Sequence, residues 1–280
     1  MTQVVGLVLV RNEDVFVEQA IRNVADFCDR IHVVDHASSD RTWPIVRSLA
    51  KELDHLDARR TRNATVAKKL LEPYTGTDTW AFGVDGDELY GPEGLARFRR
   101  DLEDGAHVDV FRIKAHVLNC DRLDEGAGTA SGWLAPPSRP VTKLFNFAAV
   151  ESWSDSPEPF QGGHVVFNRG FHWESRRDLA DGTSWAGDPL RCLHVCFLKR
   201  SSRDGDDGGP GRPSLAESRV FDRGVIGSLK RLVRPPQPPP QIRELQRQGK
   251  NWKLEWYARG DRVTLDATPF LGTRAVDAAR

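Results

Sequence analysis

The chain predicts an α/β fold organised around a mostly parallel sheet, and three observations support this. Short β-branched runs alternate with segments of helical periodicity through the first hundred residues. The runs are almost continuously apolar, as expected of strands covered on both faces. They also end in polar or acidic residues, at the strand ends where open sheets of this kind bind ligands.

"QVVGLVLV" (3–10) is the first strand, and "RNED" breaks it. "VFVEQAIRNVADFC" (15–28) then places Val17, Ala20, Ile21, Val24 and Phe27 on one helical face. "RIHVVD" (30–35) is a second strand ending at Asp35. The Ser and Asp residues of "HASSDRT" suit the cap of a second helix, "WPIVRSLAKEL" (43–53). A helix over 63–72 leads to a strand over 78–84. This β-α-β-α-β order requires right-handed crossovers and a parallel sheet. Beyond it, a helix covers 92–103 and "HVDVFRIKAHVL" (107–118) alternates as one strand should. The Gly- and Pro-rich stretch 121–140 reads as a long loop, with strand-like pieces at 141–147, 164–168 and 191–198. "SSRDGDDGGPGRPS" (201–214) is low in complexity and reads as a mobile loop or a disordered stretch. A basic helix over 215–233 and an extended "RPPQPPP" spacer (234–240) follow. "NWKLEWYARGDRVTL" near the end reads as a small hairpin packing back on the body.

Composition narrows the function classes. The 280 residues carry 39% apolar and 29% charged side chains, and the formal net charge is zero. No global field therefore recruits nucleic acid or an anionic membrane surface. No apolar stretch approaches the roughly 18 residues of a membrane helix, and the N-terminus has no cationic leader, so a cytoplasmic protein is expected. Cys28, Cys120, Cys192 and Cys196 are too few and too scattered for a disulfide framework. Cys192, His194 and Cys196 in "RCLHVCF" have the residue types of a zinc site, but no second ligand pair follows at metal-site spacing. Reduced, buried thiols are the expectation.

The most informative stretch is "WAFGVDGDELY" (80–90), an apolar strand ending in Asp85, Asp87 and Glu88. Like charges this close repel and raise each other's pKa. A divalent cation relieves the conflict. Hard carboxylate oxygens suit Mg2+ or Mn2+, and the remaining coordination positions suit a diphosphate. The alternatives for each carboxylate are a helix cap or a surface charge. No Gly-rich phosphate loop follows the first strand, so backbone amides are not the expected phosphate cradle.

"LVLVRNED", "IHVVDHASSDRT" and "WAFGVDGDELY", in that order and at that spacing, resemble the family 2 glycosyltransferases of the GT-A fold. The likeness covers about residues 3–100; "VTKLFNF" (141–147) and "LHVCFLKRSS" (193–202) resemble later segments of the family. It implies a Rossmann-like, mostly parallel sheet with a smaller mixed acceptor-side region and a C-terminal extension. The implied division is 1–118 for the nucleotide-sugar half, 119–200 for the acceptor half, 201–240 for loop, helix and spacer, and 241–280 for the extension. It also implies that Arg11 and the backbone near Glu13 line a nucleotide pocket, and that Asp35 bonds the base or ribose while Ser38 and Asp40 shape its turn. The resemblance likewise implies that Asp85 would lie near the ribose and Asp87 would be the more direct metal ligand, with His194 as a third metal contact or else a buried core histidine. The resemblance also leaves His172 as a second candidate for that metal contact or for contact to the diphosphate. The implied donor is a nucleotide-sugar, a UDP-sugar first, used with Mn2+ or Mg2+. Inverting transfer needs a general base opposite the leaving group. Asp155 and Glu158, followed by Glu151 and Glu174, form the pool for it. Trp133, Trp153 and Trp173 can stack on a sugar or aromatic acceptor. The expected acceptor is a soluble natural-product or cell-envelope intermediate, free or carrier-bound.

Two other readings use similar residues. A nucleotidyltransferase also needs metal-bound carboxylates, yet "VRNEDVF" lacks the basic, Gly-rich loop such enzymes carry after the first strand. A non-catalytic nucleotide-sugar-binding module would bind donor without turnover.

Overall fold

The computed structural model describes residues 2–63, 65–154, 160, 163–205 and 240–272. Its main sheet has seven strands: β1 (Gln3–Val10), β2 (Arg30–Asp35), β3 (Leu56–Arg60), β4 (Thr79–Asp85), β6 (Arg112–Lys114), β9 (Thr142–Asn146) and β12 (Arg176–Asp178). They lie in the order β12-β6-β9-β4-β1-β2-β3. β1 pairs in parallel with β2 and β4, β2 with β3, and β12 with β6; β9 runs antiparallel between β4 and β6. The expected α/β class with a mostly parallel, helix-flanked sheet is the observed one.

Period-two alternation sends successive side chains to opposite faces. Val4, Val8 and Val10 of β1 join Ile31, Val33, Phe82 and Val84 on one face. There they meet α1 (Val17–Ala25), α2 (Thr42–Glu52) and α4 (Pro92–Glu103) through Ile21, Val24, Val46, Leu49, Leu95 and Phe98. Val5, Leu7, Val34 and Ala81 face the other way, onto Ala67 and Leu71 of α3 (Thr65–Leu71) and an aromatic layer around Phe111. Trp153 and Trp173 belong to that layer, with ring centroids 6.1 and 5.5 Å from Phe111. This packing takes up one side of two of the three tryptophans singled out in the sequence.

A second sheet of five strands has the order β14-β8-β7-β13-β5. It comprises β5 (Glu88–Tyr90), β7 (His116–Asp124), β8 (Thr129–Ala135), β13 (Arg191–His194) and β14 (Arg262–Asp266). The remaining strands, β10 (Val150–Ser154) and β11 (His164–Phe167), form a separate antiparallel pair.

Three sequence expectations are corrected here. Residues 107–118 are not one strand: β6 and β7 belong to different sheets and are separated only by Ala115. Much of the expected loop 121–140 is instead the β7–β8 hairpin. Its glycines serve the hairpin. Gly128 adopts φ +63° in the turn, and a Cβ on Gly132 would collide with the backbone of Asn119. The C-terminal hairpin is a helix followed by a strand: α5 (Pro240–Arg247) precedes α6 (Trp252–Tyr257), and β14 pairs with β8 rather than with its own neighbour. The last element, α7 (Thr268–Leu271), buries Phe270 and Leu271 in the second sheet's core. The expected helix over 215–233 lies outside the described residues. Among the described residues, no helix is long and apolar enough to cross a membrane. All four cysteines are free and buried.

Candidate functional site

Parallel register brings the polar strand ends level. Leu9 pairs with Asp85 and Val10 with Asp35, so the turns after β1, β2 and β4 open at one edge of the sheet. Asn12, at φ +52°, turns the chain out of β1. Its side-chain Oδ1 accepts from the Ser39 amide at 2.7 Å, and its own N–H donates to Ser38 Oγ at 2.9 Å. Ser38 Oγ in turn donates to Asp35 Oδ1, which ties the first two turns together.

Asp35 has no exposed surface. Its carboxylate accepts from the Ser38 amide at 3.1 Å and pairs with Arg60 Nε at 3.1 Å. Burial raises its pKa, while the Ser38 hydrogen bonds and Arg60 act against the rise. Arg60 also donates to the Ser38 carbonyl and lies over Trp43, 5.9 Å from the ring centroid. Asp35 thus fixes the buried Ser38 and the partly exposed Arg60. Arg11 lies close enough to buried His36 for its charge to add to the burial that depresses the imidazole pKa to about 4.

The turn after β4 separates its carboxylates. Glu88, on β5, pairs with Lys143 of β9 and accepts from the Asp85 amide at 3.1 Å and the Tyr90 hydroxyl at 3.3 Å. Burial raises the Glu88 pKa to about 7, against the charge of Lys143. Lys143 also lies 3.5 Å from Asp85 Oδ2. Burial works against its ammonium, but the carboxylates of Glu88 and Asp85 outweigh burial and keep it protonated. Asp85 itself is half exposed.

Asp87 is 2% exposed and turns the other way. It meets Arg200, whose Nη1 also lies 3.5 Å from Glu13 Oε1. Gly86 makes this close approach possible, because a Cβ there would collide with Glu13 Oε2 and lie 2.8 Å from Val10 Cγ1. His194 arrives from β13, between Glu88 and Asn119 in register, with Nε2 3.8 Å from Asp87 Oδ2. Asn119 Nδ2 donates to the Trp133 carbonyl at 3.4 Å, which turns Oδ1 toward His194 Nδ1 at 2.9 Å. Nδ1 therefore carries the imidazole proton. Burial lowers the His194 pKa, so Nε2 presents a lone pair toward the Asp87 carboxylate. Arg200 is the cation beside these two groups, on the same Asp87 oxygen. The ring of Tyr257, from α6, packs edge-on against His194 with centroids 5.3 Å apart.

Residues 200–204 are strapped to the turns after β1 and β2. The Val15 amide donates to the Arg200 carbonyl at 3.1 Å, and Ser201 Oγ to Asp40 Oδ2 at 2.6 Å. Ser202 donates from both its amide and hydroxyl to Asp14. The mobile loop expected over 201–214 is thus anchored through 201–204, and its remainder beyond 205 lies outside the described residues.

The structure therefore gathers Glu13, Asp85, Asp87 and His194 around one turn, with Asp35 and Ser38 beside it. Asp155 and Glu158 lie outside the described residues. Glu151 and Glu174 are exposed; Glu174 pairs with Arg176 at 2.8 Å, and its amide donates to His172 Nδ1 at 3.1 Å. Cys192 and Cys196 turn into the core, where burial raises their thiol pKa values and sets them apart from a zinc role. Sequence reading missed Lys143, Arg200, Asn119 and Tyr257. Lys143 carried a signal, since a lone charge in the apolar strand "VTKLFNF" requires a buried counter-charge. Among the described residues, no group of three or more His, Cys, Asp or Glu is already disposed around a metal position. The donor chemistry nevertheless suits a hard divalent cation: two carboxylates and a neutral imidazole whose far nitrogen is held by an amide.

Comparison with known proteins gives no match to a protein-family model and no match to a curated protein. Among solved structures, a mannosyltransferase from Pyrobaculum calidifontis in complex with GDP-Man and Mn2+ is similar over 40% of this chain, at 21% identity and a TM-score of 0.32. A glucosyl-3-phosphoglycerate synthase from Mycobacterium tuberculosis, with Mn2+, UDP and glucosyl-3-phosphoglycerate, is similar over 41% at 17% identity and a TM-score of 0.31. The matches span 35% and 44% of those two proteins' own lengths. A mannose-6-phosphate isomerase from Helicobacter pylori is similar over 52% of this chain and 71% of its own, at 9% identity and a TM-score of 0.33. Overlaps this partial carry no argument about activity.

Proposed function

We propose that this chain transfers a sugar from a nucleoside-diphosphate donor, UDP-linked in the first instance, to a soluble acceptor with inversion at the anomeric carbon. The observation that supports this most is the charge balance at the strand ends. Four carboxyl side chains flank one turn in two sets, Asp85 and Glu88 about Lys143, and Asp87 and Glu13 about Arg200. The remaining negative charge is what a divalent cation would offset, with Asp87, Asp85 and His194 as its holders. Such a cation supplies electrostatic stabilisation of the diphosphate as it leaves.

The protein's own groups supply the rest of the proposal. Arg11 and the turn through Glu13 border the nucleotide. Asp35 acts through the groups it positions, Ser38 and Arg60, rather than by touching the nucleotide, because its carboxylate oxygens are engaged within the protein. Lys143 keeps Glu88 and Asp85 in fixed places. The general base belongs to the acceptor side, and Asp155 and Glu158 remain the proposed pair. The division into a nucleotide half (1–118) and an acceptor half (119–200), and the cytoplasmic location, belong to the same proposal.

The test is thermal unfolding with UDP, GDP, dTDP and CDP, each with Mn2+ and with EDTA. A ligand confined to the native state adds about 2.7 kcal/mol at a hundredfold excess over Kd, which is about 5–10 °C for a chain of this size. The expected result is a shift with one diphosphate that disappears in EDTA. Absence of a shift with all four refutes the proposal.

A further inference from the structure

Asp87 already has a cation. Arg200 donates to its Oδ2 and reaches Glu13, and the arginine is 9% exposed, held in place by its own backbone bonds to Val15 and Asp204. The Nε2 lone pair of His194 faces the same carboxylate oxygen from 3.8 Å. A guanidinium and a divalent ion cannot both occupy the approach to this oxygen, because unit charges a few ångströms apart in a buried setting repel by several kcal/mol.

We infer that Arg200 is the resident counter-ion of Asp87, and that a divalent cation binds there only by displacing it. The inference rests on the metal reading proposed above. It adds that metal affinity is set by a residue of the chain which is not a metal ligand. It also ties the metal to the strap, because Arg200 begins the segment fastened to Asp14 and Asp40. Binding at Asp87 therefore pulls against the bonds holding residues 200–204 to the turns after β1 and β2. An exposed arginine would swing away at little cost; this one must leave a buried position where Asp87 and Glu13 both compensate its charge. Free metal should accordingly bind weakly to the native chain.

The experiment is calorimetric titration of MnCl2, without nucleotide, into the wild-type chain, Arg200→Gln, Arg200→Lys and the double variant Arg200→Gln/Asp87→Asn. Arg200→Gln is expected to bind Mn2+ about tenfold or more tightly than wild type, because the competing charge is gone. The double variant is expected to lose that gain. Arg200→Lys keeps the charge but not the fork, so an intermediate affinity is expected, and it serves if Arg200→Gln does not fold. Equal or weaker Mn2+ binding by Arg200→Gln overturns the inference, as does a gain that survives in the double variant. A repeat with UDP and GDP separates this from the wider proposal. If Arg200→Gln tightens Mn2+ binding through Asp87 but no variant binds a diphosphate, the displacement stands and glycosyl transfer fails. Diphosphate binding with no gain in Arg200→Gln has the opposite meaning.

Discussion

Replacing Lys143 by Met tests whether the site's geometry rests on a buried charge pair. Lys143 and Glu88 have side chains 5% and 3% exposed. Met keeps the stem length and removes the ammonium. Glu88 then loses its counter-ion and retains only the Asp85 amide and the Tyr90 hydroxyl. Removing one member of a buried pair costs about 3–5 kcal/mol, because Glu88 is left buried without its counter-charge and must stay desolvated or take up a proton. For a chain of this size that lowers Tm by about 6–20 °C. Glu88→Gln alone is expected to cost less, about 2 kcal/mol, since Lys143 keeps Asp85 as a neighbour at 3.5 Å. The double variant leaves neither charge stranded. Urea unfolding of the four proteins should give a coupling of at least about 2 kcal/mol, the double variant being more stable than the sum of the singles requires. A Lys143→Met loss below about 1 kcal/mol, or losses that simply add, would refute the reasoning.

Two further outcomes follow from the same packing. Tyr257→Ala removes the ring that backs His194, and should weaken nucleotide-dependent Mn2+ binding about tenfold, while Tyr257→Phe should bind as wild type; calorimetry that finds Ala unaffected would release His194 from this support. His36 titrates at about 4 in the fold, against an ordinary value of 6.5. The unfolded chain binds the extra proton first, so this contribution is complete above pH 6.5 and is lost as pH falls toward 4, a total of about 3 kcal/mol. His36→Gln should flatten that limb when urea stability at pH 7 and pH 4.5 is compared, and an unchanged slope would exclude His36 as its source.

The parts legible in the sequence share a cause. β1, β2 and β4 are covered on both faces, so they read as unbroken apolar runs, and their carboxylates at Asp35, Asp85 and Asp87 fall where those runs stop. β3 was missed because it edges the sheet, and its "LDARR" is largely polar and partly exposed. The β7–β8 hairpin was hidden by glycines that read as loop but serve a turn and a close strand approach. The partners at the site were hidden by distance along the chain: Arg200 lies 113 residues from Asp87, and Lys143 lies 58 from Asp85. Tyr257 comes from a stretch whose periodicity is too short to distinguish helix from hairpin. A lone carboxylate at a strand end is visible in sequence, while its counter-ion depends on topology.

β4 belongs to the seven-stranded sheet and β5 to the five-stranded one, yet only Gly86 and Asp87 separate them. The acidic turn is thus also the splice where one continuous backbone passes from one sheet to the other. A splice this short tolerates no change in length. One added residue would move β5 by one step and swap its two faces, carrying Glu88 away from Lys143 and Leu89 out of the core. Insertions here should be far more damaging than substitutions of the same residues, in contrast to the ordinary tolerance of surface turns.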